Sequence, residues 1–490
     1  MKQKNDLNWL FVDLDGTLIS TDTLWESLLL FVKKHPWRVF LLFLWVFKGK
    51  RFFKDQIARR VIPDPAALPY RQEVLEKLRN RREEGKQKVI LATAAHQKIA
   101  NAVAEYLGLF DDVLATDSQV NLLGEEKLKR MQAYAKGQPF EYWGDSSPDL
   151  TVWQQAAAGL AVAPSKSLRE ELSGLPQVEI WQPEKTPLVK ALLKAIRVHQ
   201  WSKNLLLFVP AVMAHTITNL AGLFHLLTAF LAFSLTASSV YVINDLLDLP
   251  TDRRHSTKKR RPFAAGTLSI KTGLLLASLL LIVAVTISLL YLRFSFLVVL
   301  LLYMLITTSY SFFLKRKMVI DVITLAGLYS FRIFAGAVAA TVPVSSWLLA
   351  FSMFFFLSLA LMKRQVDLLG MEGSKIKGRG YQKADQRVVL AGGLGSGFTS
   401  LLVLSLYINA DHVQKLYAQP LFLWLLIPLF LYWITRMWIL TERGEMTEDP
   451  IVFTIKDKIS LMVFVMMAVV LALAIFTKSE LLLDKMRLIQ

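Results

Sequence analysis

The chain has no cysteine among its 490 residues, which excludes disulfides and thiolate metal sites. It is also short of acids, with 39 Asp and Glu against 57 Lys and Arg, for a formal charge of +18. Internal repeats and low-complexity tracts are missing. The opening "MKQKNDLNWLFVDLDGTL" lacks the form of a signal peptide, because its apolar run is short and carries aspartates. Nor is there one soluble basic patch to hold the excess charge. The basic residues lie beside apolar runs, which argues against a nucleic-acid partner.

What the chain has in abundance is apolar residues, 54% of the total, with a mean hydropathy of +0.40. They are unevenly spread. Residues 1–185 have ordinary soluble composition, and from 204 onward the chain is a series of runs close to the ~20 residues that span a bilayer. Nine spans are expected, near 204–218, 222–243, 273–291, 294–313, 320–341, 346–362, 387–408, 420–440 and 459–477. Pro210 makes the first the weakest. With the N-terminal part in the cytoplasm, the loops on that side hold about twenty Lys and Arg against about five opposite, the positive-inside pattern. The expected location is therefore the inner (plasma) membrane, multi-pass, with the soluble domain and active loops cytoplasmic. The division expected is 1–185 soluble, 186–203 an amphipathic linker and 204–490 membrane-embedded. Within the soluble part, "WRVFLLFLWVFKGKRFFK" (37–54) is too short to span; it reads as a buried cap helix or as one resting on lipid.

Two constellations carry chemistry. In the first, "WLFVDLDGTLIS" is a buried-strand pattern that delivers Asp13 and Asp15 at its carboxyl end, where α/β folds place reactive groups. "KVILATA" ends a second strand at Thr93, "NLLGEEK" supplies Lys127, and "FEYWGDSSPDL" ends a third at Asp145 and Asp149. In order and spacing this set resembles the haloacid dehalogenase phosphatases. The resemblance implies a Rossmann-like parallel sheet with a helical cap near 20–80. Asp13 would be the nucleophile and Asp15 the acid and base. Thr93 and Lys127 would hold phosphoryl oxygens, and one Mg²⁺ would sit on Asp13, Asp15, Asp145 and Asp149.

The second constellation follows an apolar run. Asn244, Asp248 and Asp252 fall on one helical face with Asp245 alongside. Carboxylates beside a hydrocarbon core are costly unless paired or bound to a cation. A one-faced set suggests Mg²⁺ shared with a diphosphate, and the basic run after it offers cations for phosphate oxygens. The pattern N-D-x-x-D-x-x-x-D, then H-x-T-K-x-x-R-P-x-A-A-G with Lys258 and Arg261, resembles the UbiA intramembrane prenyltransferases, an all-α fold of about nine transmembrane helices.

Two departures resemble one branch of that family, the decaprenyl-phosphate phosphoribosyltransferases. The second loop lacks a pair of aspartates four apart and offers Lys363, Arg364 and a single Asp367, with a basic tail to Arg379 and Tyr381. The first span is entered by Gln200, Trp201, Lys203 and Asn204. The stretch 310–340, with Tyr310, Lys315, Asp321 and Arg332, is similar to that branch as well. Tyr310 reads more as packing, Lys315 and Lys317 equally as positive-inside charges, and Arg332 more as a substrate contact than as half of a structural pair with an acid. The resemblance implies phosphoribosyl pyrophosphate as donor, a polyprenyl phosphate as acceptor, and one or two Mg²⁺ at the membrane site. The phosphatase-like domain would then remove the 5-phosphate, giving a precursor of lipid-linked arabinose. The alternative is an aromatic prenyltransferase using a prenyl diphosphate, with a phosphatase for isoprenoid phosphates. Homo-oligomerisation is left open.

Overall fold

The computed structural model describes residues 7–85, 87–117, 120–183, 187–216, 220–371, 380–446 and 449–477, without the side chains of Lys50 and His412. It forms two compact units, Met1–Val198 with Tyr241–Leu279, and His199–Val240 with Leu280–Gln490.

The first unit is built on a six-stranded sheet: β1 (Trp9–Val12), β2 (Lys88–His96), β3 (Asp112–Thr116), β4 (Phe140–Gly144), β5 (Ala158–Val162) and β6 (Val178–Trp181). All pairings are parallel, in the order β3-β2-β1-β4-β5-β6. A parallel sheet is covered on both faces, so its strands are apolar throughout rather than alternating. Leu10 and Val12 enter one core with Leu75 and Val103, while Phe11 enters the other with Met131 and Trp153. The strand order reverses between β1 and β4, which opens a crevice beyond their carboxyl ends. Asp13 follows β1 directly, and Asp145 follows β4.

Three helices, Thr23–Lys34, Phe40–Phe47 and Lys50–Ala58, make a cap with its own small core of Phe31, Trp45, Ile57 and Val61. Asp22 starts it, its carboxylate accepting from the amides of Leu24 and Trp25 at the helix N-terminus. The segment 244–272 belongs to this same unit. Arg253 reaches Glu26 at 2.6 Å and the Ala67 carbonyl at 3.2 Å, and Arg254 pairs with Asp64. A Cβ on Gly266, which has φ +69°, would sit 2.0 Å from Ser20 Oγ. The glycine of "RPFAAG" is thus required for a close approach to the phosphatase-like body.

Among the described residues eight helices are long and apolar enough to cross a membrane: Leu220–Leu247, Ile270–Tyr291, Phe294–Phe312, Ile320–Ala340, Ser346–Leu369, Lys383–Ile408, Pro420–Glu442 and Lys458–Phe476. The expected first span, 204–218, departs from this. Its described part is a 3-10 stretch, Val198–Phe208, followed by a five-residue helix, Val209–Met213. Pro210 removes an amide donor there, and a residue with left-handed backbone, His215 (φ +56°), follows.

In the second unit that broken segment lies hard against Ile320–Ala340. A Cβ on Gly336 would fall 2.0 Å from the Leu207 carbonyl oxygen. One turn earlier, Arg332 Nε donates to Asn204 Oδ1 at 2.9 Å. Gly336→Ala should force the backbones apart and cost about 1–3 kcal/mol, the range for overpacking. A lower melting temperature in detergent is the expected reading, and an unchanged one would remove the close approach from the account.

Candidate active sites

The phosphatase-like site is assembled at the switch point. Lys127, from the helix Glu125–Tyr134, is fully buried with Nζ 3.3 Å from Asp13 Oδ1 and 3.1 Å from Asp149 Oδ1. Asp149 also accepts from the Tyr142 hydroxyl at 2.6 Å and from the amides of Asp145 and Ser146, so it fixes the loop after β4. Gly16 permits the approach of the two loops: at φ +76°, a Cβ there would lie 1.9 Å from Asp145 Oδ2.

Charge does not balance in this site. Four carboxylates, Asp13, Asp15, Asp145 and Asp149, gather around the buried Lys127 ammonium, with Arg71 acting on Asp145 from the cavity wall. Burial pushes the Asp13 carboxyl up to about 6, against the pull of Lys127. Asp15 is raised well above its usual range by burial and by Asp22 and Asp13. Asp145 is raised by burial, then by Asp13 and Asp149. Burial alone would also raise Asp149, but Lys127 and Tyr142 hold it low. Burial opposes the charge on Lys127, yet Asp13 and Asp149 drive its pKa upward.

Raised acids in a closed site mark a place where another cation would be stabilised. Asp13, Asp145 and Asp149 bring ligand oxygens within 4.8 Å of one another, and the buried Asp13 Oδ1 faces the Lys127 ammonium at 3.3 Å without a well-aligned hydrogen bond. An oxygen-ligating divalent cation fits this donor set. Asp15 stands outside that group; its two oxygens accept from the Thr23 amide at 2.9 Å and the Thr23 hydroxyl at 3.0 Å. Thr93 is wholly buried, and its Oγ1 accepts from the Ala95 amide, so Ala94, Ala95 and His96 form the cavity wall beside it.

The cavity above these carboxylates measures about 560 Å³. Lys54, Arg71 and Lys127 line it, and Leu24 and Trp25 come from the cap. Its wall also contains Ser269, Ile270 and Lys271, where the membrane-crossing helix Ile270–Tyr291 begins. Lys271 Nζ lies 5.8 Å from the centre of the Trp25 ring.

The second constellation occupies the C-terminal end of Leu220–Leu247 and the short helix Leu249–Arg254. Asp245 and Asp252 are buried, and one Arg261 nitrogen bridges them at 3.0 and 2.6 Å. Arg197 pairs with Asp245 as well. Asp248 is half-buried and receives Lys33 of the cap at 2.8 Å; the same ammonium donates to the Leu247 carbonyl. Asn244 and Lys258 are half-buried.

The second unit gathers three further groups. Lys363 and Lys203 converge on Asp449, at 2.5 and 4.0 Å. Arg332 bonds Asn204, the Tyr303 hydroxyl and the Leu328 carbonyl, so its position inside a membrane span is satisfied by neutral acceptors. Arg364 is completely buried, pairing with Asp321 at 2.9 Å and Asp367 at 2.5 Å under the Tyr381 ring. The Tyr381 hydroxyl donates to Asp321 and accepts the amide of Val319, a β-branched residue held at φ +68°. Tyr310 and Lys315 are half-buried, Lys317 is exposed, and Arg379 lies outside the described residues.

Arg364→Ala leaves Asp321 as a buried charge and should destabilise by about 3–5 kcal/mol. Thermal unfolding would show the drop whether or not substrate is present. An unchanged midpoint would mean that Arg364 is free to bind phosphate instead.

Residues that the motifs do not contain complete these groups. Asp449 caps the helix Pro450–Lys456, Arg197 lies in the linker, and Lys33 lies in the cap. An aspartate before a proline marks a helix start, which is the one local signal among them.

Residues 205–464 match the model of the UbiA prenyltransferase family. The chain belongs to that family. Residues 10–153 match the haloacid dehalogenase-like hydrolases, so the N-terminal domain is of that type. The chain is 36% identical over 92% of its length, and 88% of the other's, to an uncharacterized protein, y4nM, of Sinorhizobium fredii. It is 33% identical to the nodulation protein NoeC of Azorhizobium caulinodans over 59% of this chain and 94% of that one. A decaprenyl-phosphate phosphoribosyltransferase of Mycolicibacterium smegmatis is 36% identical over 39% of this chain, which spans 61% of that relative. The protein is thus an integral membrane UbiA-type transferase, homologous to decaprenyl-phosphate phosphoribosyltransferases, with a hydrolase-type domain at its N-terminal end.

Proposed function

We propose that the protein transfers 5-phosphoribose from phosphoribosyl pyrophosphate to a polyprenyl phosphate and then removes the 5-phosphate from the lipid-linked sugar. The observation that carries this reading is the shared wall of the phosphatase cavity. A phosphomonoester site partly built from Ser269–Lys271, at the head of a membrane-crossing helix, suits a phosphate carried on a lipid.

In the first step a phosphate oxygen of the lipid attacks the anomeric carbon of the donor. The bond from that carbon to pyrophosphate breaks, and pyrophosphate leaves. The nucleophile is already an anion near neutral pH, so no general base is needed. Asp245, Asp248 and Asp252 would hold Mg²⁺ on the diphosphate, and Arg261 and Lys258 would take phosphate oxygens as those acids turn to the metal. Lys203 and Lys363, with Asn204, Asn244 and Lys315, would hold the donor and the lipid phosphate. Positioning and fixed cations supply most of the rate.

In the second step Asp13 attacks the 5-phosphorus, and Asp15 protonates the departing sugar oxygen. Asp15 then takes a proton from the water that cleaves the aspartyl-phosphate, releasing inorganic phosphate. Lys127 steadies the transferring group, with Lys54 and Arg71 near the incoming phosphate. Mg²⁺ on Asp13, Asp145 and Asp149 would neutralise the repulsion between anions. The product would be a polyprenyl-phosphoryl-ribose, a precursor of lipid-linked arabinose, made on the cytoplasmic side of the inner membrane.

The test is donor choice. Purified protein with Mg²⁺ and polyprenyl phosphate should transfer label from ribose-labelled phosphoribosyl pyrophosphate, and should leave a prenyl diphosphate with an aromatic acid unreacted. The reverse pattern would move the protein to aromatic prenylation.

A further inference from the structure

The cap contains a helix whose outward face has no place in either reaction. In Phe40–Phe47, Leu41, Leu42 and Trp45 pack on the cap core. The opposite positions, Phe40, Phe43, Leu44 and Phe47, are spaced i, i+3, i+4, i+7, which makes one continuous stripe. All four are exposed, Phe43 at 70% and Phe47 at 87%, and Trp37 and Val46 beside them are exposed as well. Such a stripe of large apolar side chains on a soluble cap marks an interaction surface.

Charge selects the partner. Between Glu26 and Asp55 there is no acid, and seven Lys and Arg occupy that interval. Lys34, Arg38, Lys48 and Arg51 are exposed on both sides of the stripe. An apolar face rimmed only by cations suits an anionic lipid surface, with rings entering the acyl boundary and ammonium and guanidinium groups among the phosphates. The helix is eight residues long, about 12 Å at 1.5 Å per residue, so it lies in the interface rather than crossing it. The membrane is also at hand. Lys33, at the end of the preceding cap helix, holds the Leu247 carbonyl and Asp248 at the end of a membrane-crossing helix.

We propose that the Phe40–Phe47 helix is a membrane-surface anchor. It seats the phosphatase cap in the anionic face of the bilayer that the same chain crosses, beside the cavity whose wall begins at Ser269. The cap would then meet a lipid-borne phosphate at the height of the headgroups, without drawing the lipid out of the membrane. The anchor depends only on the cap's own surface, so it stands whichever phosphate the site cleaves.

The absence of cysteine makes the test clean, since any introduced cysteine is unique. Full-length Phe43→Cys, Phe47→Cys and, as a reference on the sheet domain, Gln132→Cys would each carry an environment-sensitive fluorophore. They would be reconstituted in vesicles containing phosphatidylglycerol, with and without acyl-brominated lipid. The three positions are exposed, so folding should be unaffected. Labels at 43 and 47 should be blue-shifted, lose about half their intensity or more to brominated lipid, and resist aqueous iodide, while the label at 132 does the opposite. Iodide quenching at 43 and 47 equal to that at 132 would overturn the proposal. Protection from both quenchers, together with disulfide crosslinks between unlabelled Phe47→Cys copies, would overturn it in favour of a contact between chains.

Discussion

Asp13→Asn is expected to abolish release of phosphate from the lipid-linked 5-phosphoribose, by about 10,000-fold or more, the scale seen when a covalent nucleophile is removed. Pyrophosphate release at the transferase site should continue at the wild-type rate. The amide keeps the shape of the carboxylate but cannot form an acyl phosphate. The loss should not reflect unfolding, because burial already works against the charged form of Asp13, whose pKa stands at about 6. A neutral side chain in that position relieves desolvation. Lys127 retains Asp149 at 3.1 Å, and Tyr142 still holds Asp149 at 2.6 Å. A colorimetric phosphate assay, paired with a melting curve, separates the two explanations. Phosphate release within tenfold of wild type would take the nucleophile's role from Asp13.

Asp252→Asn is expected to have the complementary effect. Pyrophosphate release should fall about 100- to 1,000-fold, the scale for losing one preorganised electrostatic contact to a developing charge. Hydrolysis of a small soluble phosphomonoester at the other site should be untouched. Asp252 is the most informative of the three acids because of its partner. Arg261 bridges it to Asp245, so removing one charge unbalances a closed cluster. Arg261→Lys provides the control: it keeps the charge but changes the reach and donor geometry of the one nitrogen that bridges the two carboxylates. A smaller loss than in Asp252→Asn, with a raised KM for phosphoribosyl pyrophosphate, is the expected pattern. Asp248 would report less cleanly, since it also receives Lys33 from the cap. Pyrophosphate release by Asp252→Asn equal to wild type would exclude the acidic cluster from transfer.

Much of this organisation is legible along the chain because it is local. A β-branched and aromatic run ending in acid-x-acid-Gly-Thr places Asp13 at a strand end, and a run of twenty apolar residues declares a span. At 204–218 the apolar run reads as a ninth span that Pro210 only weakens, whereas the structure breaks it into a 3-10 stretch and a five-residue helix. Pairing at long range has no such signature. Lys33 and Asp248 are 215 positions apart, and Lys363 and Asp449 are 86 apart, each within a charged stretch offering several candidates. The same holds for Arg364. Its place in a basic loop suggests a phosphate ligand, whereas the structure buries it between Asp321 and Asp367. For 37–54 composition alone could not decide which way the apolar side chains point, because that depends on Trp45 finding Phe31 and Ile57.

The central claim is that two sites act in order on one lipid, and the mass of that lipid tests it directly. Wild-type protein supplied with Mg²⁺, polyprenyl phosphate and ribose-labelled phosphoribosyl pyrophosphate should give a labelled lipid without a 5-phosphate. Asp13→Asn should give the same lipid heavier by one phosphoryl group. A labelled lipid of identical mass from both proteins would contradict the account, because the phosphatase site would then have some other substrate.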